Sequence, residues 1–162
     1  AKRISYTWGN FSGGTGGRIG GVVALEDRIF MAFTSKEGDR EHWSVALADF
    51  AKAPPHRQRV HQYLEDADHD QINVKIARYG KDRLLISWVD AANSQRQFAI
   101  YNQQGQREGP VETLSVNASP RSDFKTLPGG AVVWAHPSSE DQRTLKIQRI
   151  IPPHLRWASH SK

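Results

Sequence analysis

Short runs of β-branched and aromatic residues alternate with polar turns along most of the chain. The clearest runs are DRLLISWV (residues 82–89), GGAVVWAH (129–136) and INVKIA (72–77), and the last alternates with a period of two. Such runs are too short for globular helices, and turn-forming stretches such as KEGD, ARYGKD, LPGG and IPPH separate them. The pattern therefore predicts an all-β fold.

One segment departs from this pattern. WSVALADFAKA (residues 43–53) is rich in alanine, and on intrinsic propensity alone it would form a helix. We interpret it as a strand because it occupies the position of a strand in the internal repeat described next.

Three stretches of the chain align with one another. Residues 72–105 and 122–150 each contain a strand, a short turn, a second strand that ends in tryptophan, a polar loop and a third strand, and Trp88 and Trp134 are the aligned tryptophans. Residues 19–50 match as well: EDRIFMAF aligns with KDRLLISW, so Phe33 takes the place of Trp88, and HWSVAL aligns with QFAIY.

RVHQYL and VETLSV supply a fourth strand to the first two units. The repeat therefore predicts antiparallel units of four strands over residues 18–65, 66–116 and 117–151, followed by a basic C-terminal tail at 152–162.

Units of this size and composition resemble the blades of bacterial-type β-propellers, in which the second strand of each blade ends in tryptophan. The resemblance extends over about residues 18–151. It implies a single propeller-like domain, and because propellers close with typically 4 to 8 blades, it also implies that three blades are part of a larger or two-chain propeller. Another chain, or the rest of a longer polypeptide, would then complete the ring. A β-sandwich is the alternative fold, since short and evenly spaced strands also suit that architecture.

The glycine-rich stretch WGNFSGGTGGRIGG (residues 8–21) lies just before and within the first strand of the first unit. It has no Gly-Lys-Ser/Thr sequence and no helix is predicted after it. We therefore interpret it as a connection between blades and not as a phosphate-binding loop.

Composition narrows the range of functions. There are no cysteines, which excludes disulfides, thiolate metal sites and cysteine nucleophiles, and no apolar run is long enough to span a membrane. The net charge is +5, but basic and acidic residues are intermixed through most of the chain, so we expect no nucleic acid partner. These features leave the compartment open, and we favour a secreted or periplasmic location.

Asp66, Asp68 and Asp70 alternate in the stretch EDADHDQIN, which is the ligand spacing that a Ca²⁺ loop uses. An EF-hand is excluded, because Gln71 replaces the loop glycine and Ala77 stands where the twelfth-position acid is required. A Ca²⁺ site of another kind at these three aspartates is one hypothesis, and a polar turn without metal is the other. His56, His61 and His69 match no zinc-binding spacing and are interpreted as surface residues.

In a propeller, the loops that join fourth strand to first and second strand to third emerge on the same face. We expect this face to carry the ligand-binding residues, which are Arg18, Asp90, Asn93, Arg121 and His136, together with the three aspartates. The turns LED, RYGK and LPGG fall on the opposite face and are expected to be structural. Tyr6, Trp8 and Trp157 lie outside the repeats and are expected at a partner interface, where aromatic residues are enriched.

Two hypotheses of function follow. The first is a non-catalytic binding module that recognises a protein or glycan partner through its loops. The second is part of a propeller-type hydrolase or lyase with its active site at the central channel. No Gly-x-Ser-x-Gly elbow or other catalytic signature is present, which favours the binding module. Trp88, Trp134 and Phe33 are expected to be core residues and not ligand-stacking platforms.

Overall fold

Strands account for the regular structure of the described chain. The computed structural model describes residues 18–36, 39–53, 61–65, 67–114, 122–138, 141 and 143–153, and all eleven elements assigned there are β-strands. They form three antiparallel sheets, which confirms the predicted all-β fold.

The first sheet is a meander in the order β1-β2-β3-β4. Its strands are β1 (Arg18–Ala24), β2 (Arg28–Ser35), β3 (Ser44–Ala51) and β4 (Gln62–Tyr63). The alanine-rich segment forms β3, a strand as the repeat predicts, and β3 pairs with β2 along its whole length. Most residues of β2 and β3 are buried on both faces, so neither strand shows the alternation of a half-exposed strand.

The second sheet repeats this order with β5 (Gln71–Tyr79), β6 (Arg83–Asp90), β7 (Gln95–Tyr101) and β8 (Glu112–Thr113). The short strands β4 and β8 fall within the two segments predicted as fourth strands. The third sheet has three described strands, β9 (Lys125–Thr126), β10 (Val132–Pro137) and β11 (Leu145–Ile150), with β10 in the middle.

The sheets pack against one another in chain order, and β5 is the strand common to both interfaces. It packs against β1, β2 and β3 of the first sheet and against β9 and β10 of the third. Between the first and second sheets the backbones approach closely at Gly20, where a Cβ would overlap the carbonyl group of Val74. Glycine at this position therefore allows β1 and β5 to meet.

Three hydrophobic clusters follow from this packing. One joins the first two sheets and includes Phe30, Val45, Ile76 and Trp88. Another joins the second and third sheets and contains Tyr79, Leu85, Phe98, Phe124, Val132 and Trp134. The third, on the other face of the first sheet, contains Met31, Phe33, Ala46, Ala48 and Phe50.

The aligned aromatic residues have equivalent registers in their sheets. Phe33 pairs with Ala46, Trp88 with Gln97 and Trp134 with Gln148, in each case joining the second strand of the unit to the third. All three aromatic side chains are buried, as predicted for core residues. Trp88 packs towards the first sheet and Trp134 towards the second, so each tryptophan contacts the sheet that precedes its own.

Candidate functional site

Three connections lie at one end of the first two sheets: the described parts of the β2–β3 loop, the β4–β5 connection and the β6–β7 turn. We call this end the loop face. Trp43 in the β2–β3 loop donates its backbone N–H to Asp70 Oδ1 at 2.9 Å, and the Gln71 N–H donates to the Trp43 carbonyl at 2.7 Å. The buried Gln71 side chain then accepts the Val45 N–H at 2.8 Å. These bonds hold the β2–β3 loop of the first sheet against the start of β5.

The β6–β7 turn is attached to the same point. The Ala91 N–H donates to the Asp70 carbonyl at 2.9 Å. Within the turn, Asp90 accepts the Ala92 N–H at 2.9 Å and the Asn93 side-chain amide at 3.3 Å. Asp90 and Asn93 therefore stabilise the turn itself, in the manner of Asx turns.

A polar groove runs across the loop face. It consists of two adjoining cavities of about 340 Å³ and about 300 Å³, which share Ala67 and Asp68. The first is lined by the shared residues and by Arg40, Glu41, His42 and Ser44. The second is lined by the shared residues and by His69, Gln71, Trp88, Asp90 and Gln97. Both sheets thus contribute walls to one groove, with Asp68 at its middle.

The carboxylates in and beside the groove have different roles. Those of Asp70 and Asp90 are engaged in the hydrogen bonds that hold the loops. Asp68 and Glu41 are exposed, and neither side chain forms a hydrogen bond or an ion pair with any residue in the described part of the chain. Their oxygens are therefore available to accept hydrogen bonds from a ligand.

Two histidines flank Asp68 and Asp70. His42 Nδ1 lies 3.6 Å from Asp70 Oδ1, and its ring centroid lies 6.3 Å from that of His69. The His42 and Asp70 side chains are both partly exposed, so a protonated His42 would form a solvent-screened ion pair with Asp70. The pair adds a second contact between the β2–β3 loop and the β4–β5 connection.

Cations lie over aromatic rings at this end of the first sheet. The Arg40 guanidinium carbon is 3.5 Å from the centroid of the Tyr63 ring, and that of Arg18 is 6.0 Å from the Trp43 ring. The Arg40 contact lies within the range of a cation–π interaction, which orients a side chain that also lines the groove.

The loop face brings together several of the predicted ligand-binding residues. Asp68 and Asp90 line the groove, and Asn93 is in the exposed turn beside it. Arg18 lies at the Trp43 ring, next to the loop that Asp70 holds.

Of the remaining predicted residues, His136 belongs to the described part of the chain. His136 is in the third sheet with only 4% of its surface exposed, and its Nδ1 lies 2.8 Å from the Pro137 carbonyl oxygen. Outside the described residues lie Arg121, Asp66 and the predicted interface residues Tyr6, Trp8 and Trp157.

Arg40, Glu41, His42 and Gln97 are groove residues that were not predicted as site residues. Arg40 and Glu41 belong to the stretch SKEGDRE, which the repeat places among the loops of this face. The position of that loop in the repeat is therefore the feature of the sequence that indicates these two residues. Gln97 lines the groove from β7 and accepts the Trp88 Nε1–H at 3.0 Å, a role that depends on the buried tryptophan.

The structure gives no support to a particular metal. No group of three or more His, Asp or Glu side chains suited to a metal ion occurs among the residues whose placement is described. Asp66 lies outside those residues, so the Ca²⁺ site at Asp66, Asp68 and Asp70 stays a prediction.

Comparisons with known proteins assign no family. No family model, curated protein or solved structure matches the chain. The part of the chain that the structure describes contains no helix that is long and apolar enough to cross a membrane.

Proposed function

We propose that the protein is a non-catalytic binding module that recognises a glycan or protein partner through the loop-face groove. The observation that carries this proposal is the pair of exposed carboxylates, Glu41 and Asp68, that line the groove without a structural partner among the described residues. Polar side chains of this kind in a concave site are candidates for ligand recognition.

The chemistry of the groove favours a ligand rich in hydrogen-bond donors. Carboxylates only accept hydrogen bonds, and Glu41, Asp68 and Asp90 contribute three of them to the lining. Sugar hydroxyls satisfy such acceptors, and so do the ammonium and guanidinium groups of a basic peptide. Arg40, His42 and His69 add hydrogen-bond donors to the lining, which suits a ligand that carries both donors and acceptors.

The proposed architecture is a β-propeller in which the three sheets are blades. Two features support it. Each sheet with four described strands is a simple meander, and the first strands of neighbouring sheets contact one another, β1 with β5 and β5 with β9. First strands that face a common axis are characteristic of propeller blades, and the loops on one end of that axis then form one recognition surface.

The proposal is tested by screening glycan and peptide arrays with the purified chain, followed by titration of the best probe. Asp68→Asn and Glu41→Gln remove charge and keep the side-chain size, so each should weaken binding by roughly tenfold while the melting temperature changes little. Asp27→Asn, an exposed change in the β1–β2 turn at the opposite end, is the matched control. Binding that is equally strong in all three variants would refute the groove as the recognition site.

A further inference from the structure

We infer that one half of the groove is a carbohydrate site that binds a neutral sugar through two adjacent hydroxyl groups. This half is the cavity of about 300 Å³ that Gln71, Asp90 and Gln97 line, and we call it the amide pocket. The inference rests on the proposed function and narrows its ligand from a glycan or protein partner to one chemical class. It is carried by the two glutamines, whose amide groups are held in one orientation.

The first sheet sets the orientation of the Gln71 amide. Gln71 is only 7% exposed, and its Oε1 accepts the Val45 backbone N–H at 2.8 Å. Because a backbone N–H can only donate, the amide oxygen must lie on that side and the NH₂ group on the other. The Gln71 NH₂ group has no hydrogen-bond partner in the described part of the chain and is not sealed from solvent. A largely buried side chain therefore presents a donor to the amide pocket.

The Gln97 amide is fixed in the same way. Its Oε1 accepts the Trp88 Nε1–H at 3.0 Å, and an indole nitrogen can only donate. Gln97 lies directly opposite Trp88 in the β6–β7 ladder, and Trp88 is buried in the core. The Gln97 NH₂ group has no partner among the described residues either. Trp88 therefore fixes the direction in which Gln97 donates to a ligand.

An acceptor lies beside the first of these donors. Asp90 pairs with Gln71 across β5 and β6. The bond from the Ala91 N–H to the Asp70 carbonyl makes this a non-hydrogen-bonded pair, the type in which the side chains of antiparallel strands lie closest. Asp90 accepts two hydrogen bonds within its turn, and a carboxylate offers about four acceptor positions, so it keeps acceptor capacity for a ligand. Asp68 lines the pocket with a second carboxylate.

Donors and acceptors placed side by side favour hydroxyl groups. A hydroxyl both donates and accepts, so two adjacent hydroxyls of a sugar ring can bond to a carboxylate and an amide NH₂ group together. The volume of the amide pocket is at the lower end of the range of about 300–1,000 Å³ for small-molecule sites, which suits one sugar ring.

A basic peptide fits the same groups less well. Ammonium and guanidinium groups only donate, so they would displace water from the NH₂ groups of Gln71 and Gln97 without supplying acceptors, which costs binding energy. A peptide group has both functions, but its trans geometry directs the N–H and the C=O to opposite sides of the chain. The pairing of Gln71 with Asp90 therefore favours a sugar.

The test uses variants that change only the donors. Gln71→Glu and Gln97→Glu keep an oxygen to accept from Val45 or Trp88 and replace the NH₂ group by a second oxygen. The probe is the methyl glucoside, mannoside or galactoside that gives the strongest saturation-transfer NMR signal with the full chain. Titration should show that each variant binds this pyranoside roughly tenfold more weakly, and deoxy derivatives that lack one of two adjacent hydroxyls should lose a similar factor. Gln104→Glu, the same change in the exposed β7–β8 loop at the opposite end, should leave the affinity unchanged.

An octalysine peptide is the second probe, because a cationic ligand reverses the sign of the effect. The carboxylate added by Gln71→Glu or Gln97→Glu would tighten its binding, and salt from about 50 to 500 mM would weaken it, whereas a neutral sugar would be insensitive to salt. Pyranoside binding that both variants keep or strengthen would overturn the inference, and so would binding of octalysine without any pyranoside. Circular dichroism and melting temperature establish that each variant is folded. If Gln71→Glu fails to fold, the half-buried Gln97→Glu decides the question.

Failure of this inference differs from failure of the proposed function. A groove that binds octalysine and loses it on Asp68→Asn would exclude the sugar and retain the binding module. A chain that binds neither a pyranoside nor any probe on the arrays would refute both.

Discussion

Asp70 Oδ1 accepts the backbone N–H of Trp43 at 2.9 Å, and this bond joins a loop of the first sheet to the start of the second. It is the central contact of the loop face, since the peptide group that follows Asp70 also bonds to Trp43 and Ala91. The Asp70 carboxylate is thus one of several groups that fix the orientation of the groove walls.

Asp70→Ala should lower the free energy of unfolding by roughly 1–2 kcal/mol, the cost of leaving a backbone donor without its acceptor at a partly exposed site. Asp70→Asn keeps an acceptor oxygen and should lose less than half of that amount. Urea unfolding of the wild type, Asp70→Ala and Asp70→Asn measures the difference. Equal losses for alanine and asparagine would show that the charge on Asp70, and not the hydrogen bond to Trp43, stabilises the loop.

The repeat made most of the fold predictable. It identified β3 as a strand against its alanine-rich composition, because HWSVAL aligns with QFAIY, and it located the short strands β4 and β8. Local propensity could not do this, since β3 is buried on both faces and small residues pack there without alternation. The arrangement of blades in a closed ring stays a prediction.

The site was predictable only in part. Asp68 and Asp90 were expected on the loop face from their places in the repeat, and both line the groove. Glu41 and His42 join them because Trp43 is held by Asp70, a contact between residues 27 positions apart that no local pattern reveals. The burial of His136 depends in the same way on packing that its local sequence does not encode.

Trp88 and Trp134 are both core residues, but their indole nitrogens differ. Trp88 Nε1 donates to Gln97 Oε1 at 3.0 Å, whereas Trp134 Nε1 is buried and has no hydrogen-bond partner within the described residues. Replacing either tryptophan by alanine should lower the free energy of unfolding by about 3–5 kcal/mol, as expected for large buried aromatic residues. Trp134→Phe should cost about 1 kcal/mol less than Trp88→Phe, because only the latter removes a hydrogen bond. Chemical denaturation decides the order, and a larger loss for Trp134→Phe would contradict it.

Gly130 meets Gly80 where the β9–β10 and β5–β6 turns cross. The Gly80 N–H donates to the Gly130 carbonyl at 2.8 Å, and a Cβ on Gly130, at φ +90°, would overlap the Gly80 backbone. Gly130→Ala should therefore destabilise the fold by roughly 2–4 kcal/mol, from both backbone strain and steric overlap.

Gly109 supplies the control for this substitution. Its φ is +101°, but a Cβ there would meet nothing within 4 Å, so Gly109→Ala introduces strain without overlap. It should cost roughly 1–2 kcal/mol, the penalty of a left-handed backbone alone. Thermal unfolding of the two variants separates the contributions, and similar losses would show that the crossing of the two turns adds nothing.

Tyr101 makes the stability of the fold sensitive to alkaline pH. Burial, reinforced by the hydrogen bond from its hydroxyl to Glu65 Oε1 at 2.7 Å, raises the pKa of Tyr101 well above its usual range. Above about pH 10, an unfolded tyrosine loses its proton while the folded one keeps it, so the folded state binds more protons and stability falls as pH rises.

Tyr101→Phe should remove this contribution to the alkaline decline, at the cost of roughly 1–2 kcal/mol near neutral pH, because the hydrogen bond to Glu65 is lost. Urea unfolding between about pH 8 and 11, with tyrosinate absorbance followed in parallel, measures both effects around the ordinary tyrosine pKa. Glu65→Gln keeps an acceptor but removes the charge that helps to raise the Tyr101 pKa, so the tyrosinate absorbance of the folded variant should appear at a lower pH than in the wild type. An unchanged decline in Tyr101→Phe would assign the alkaline sensitivity to other groups.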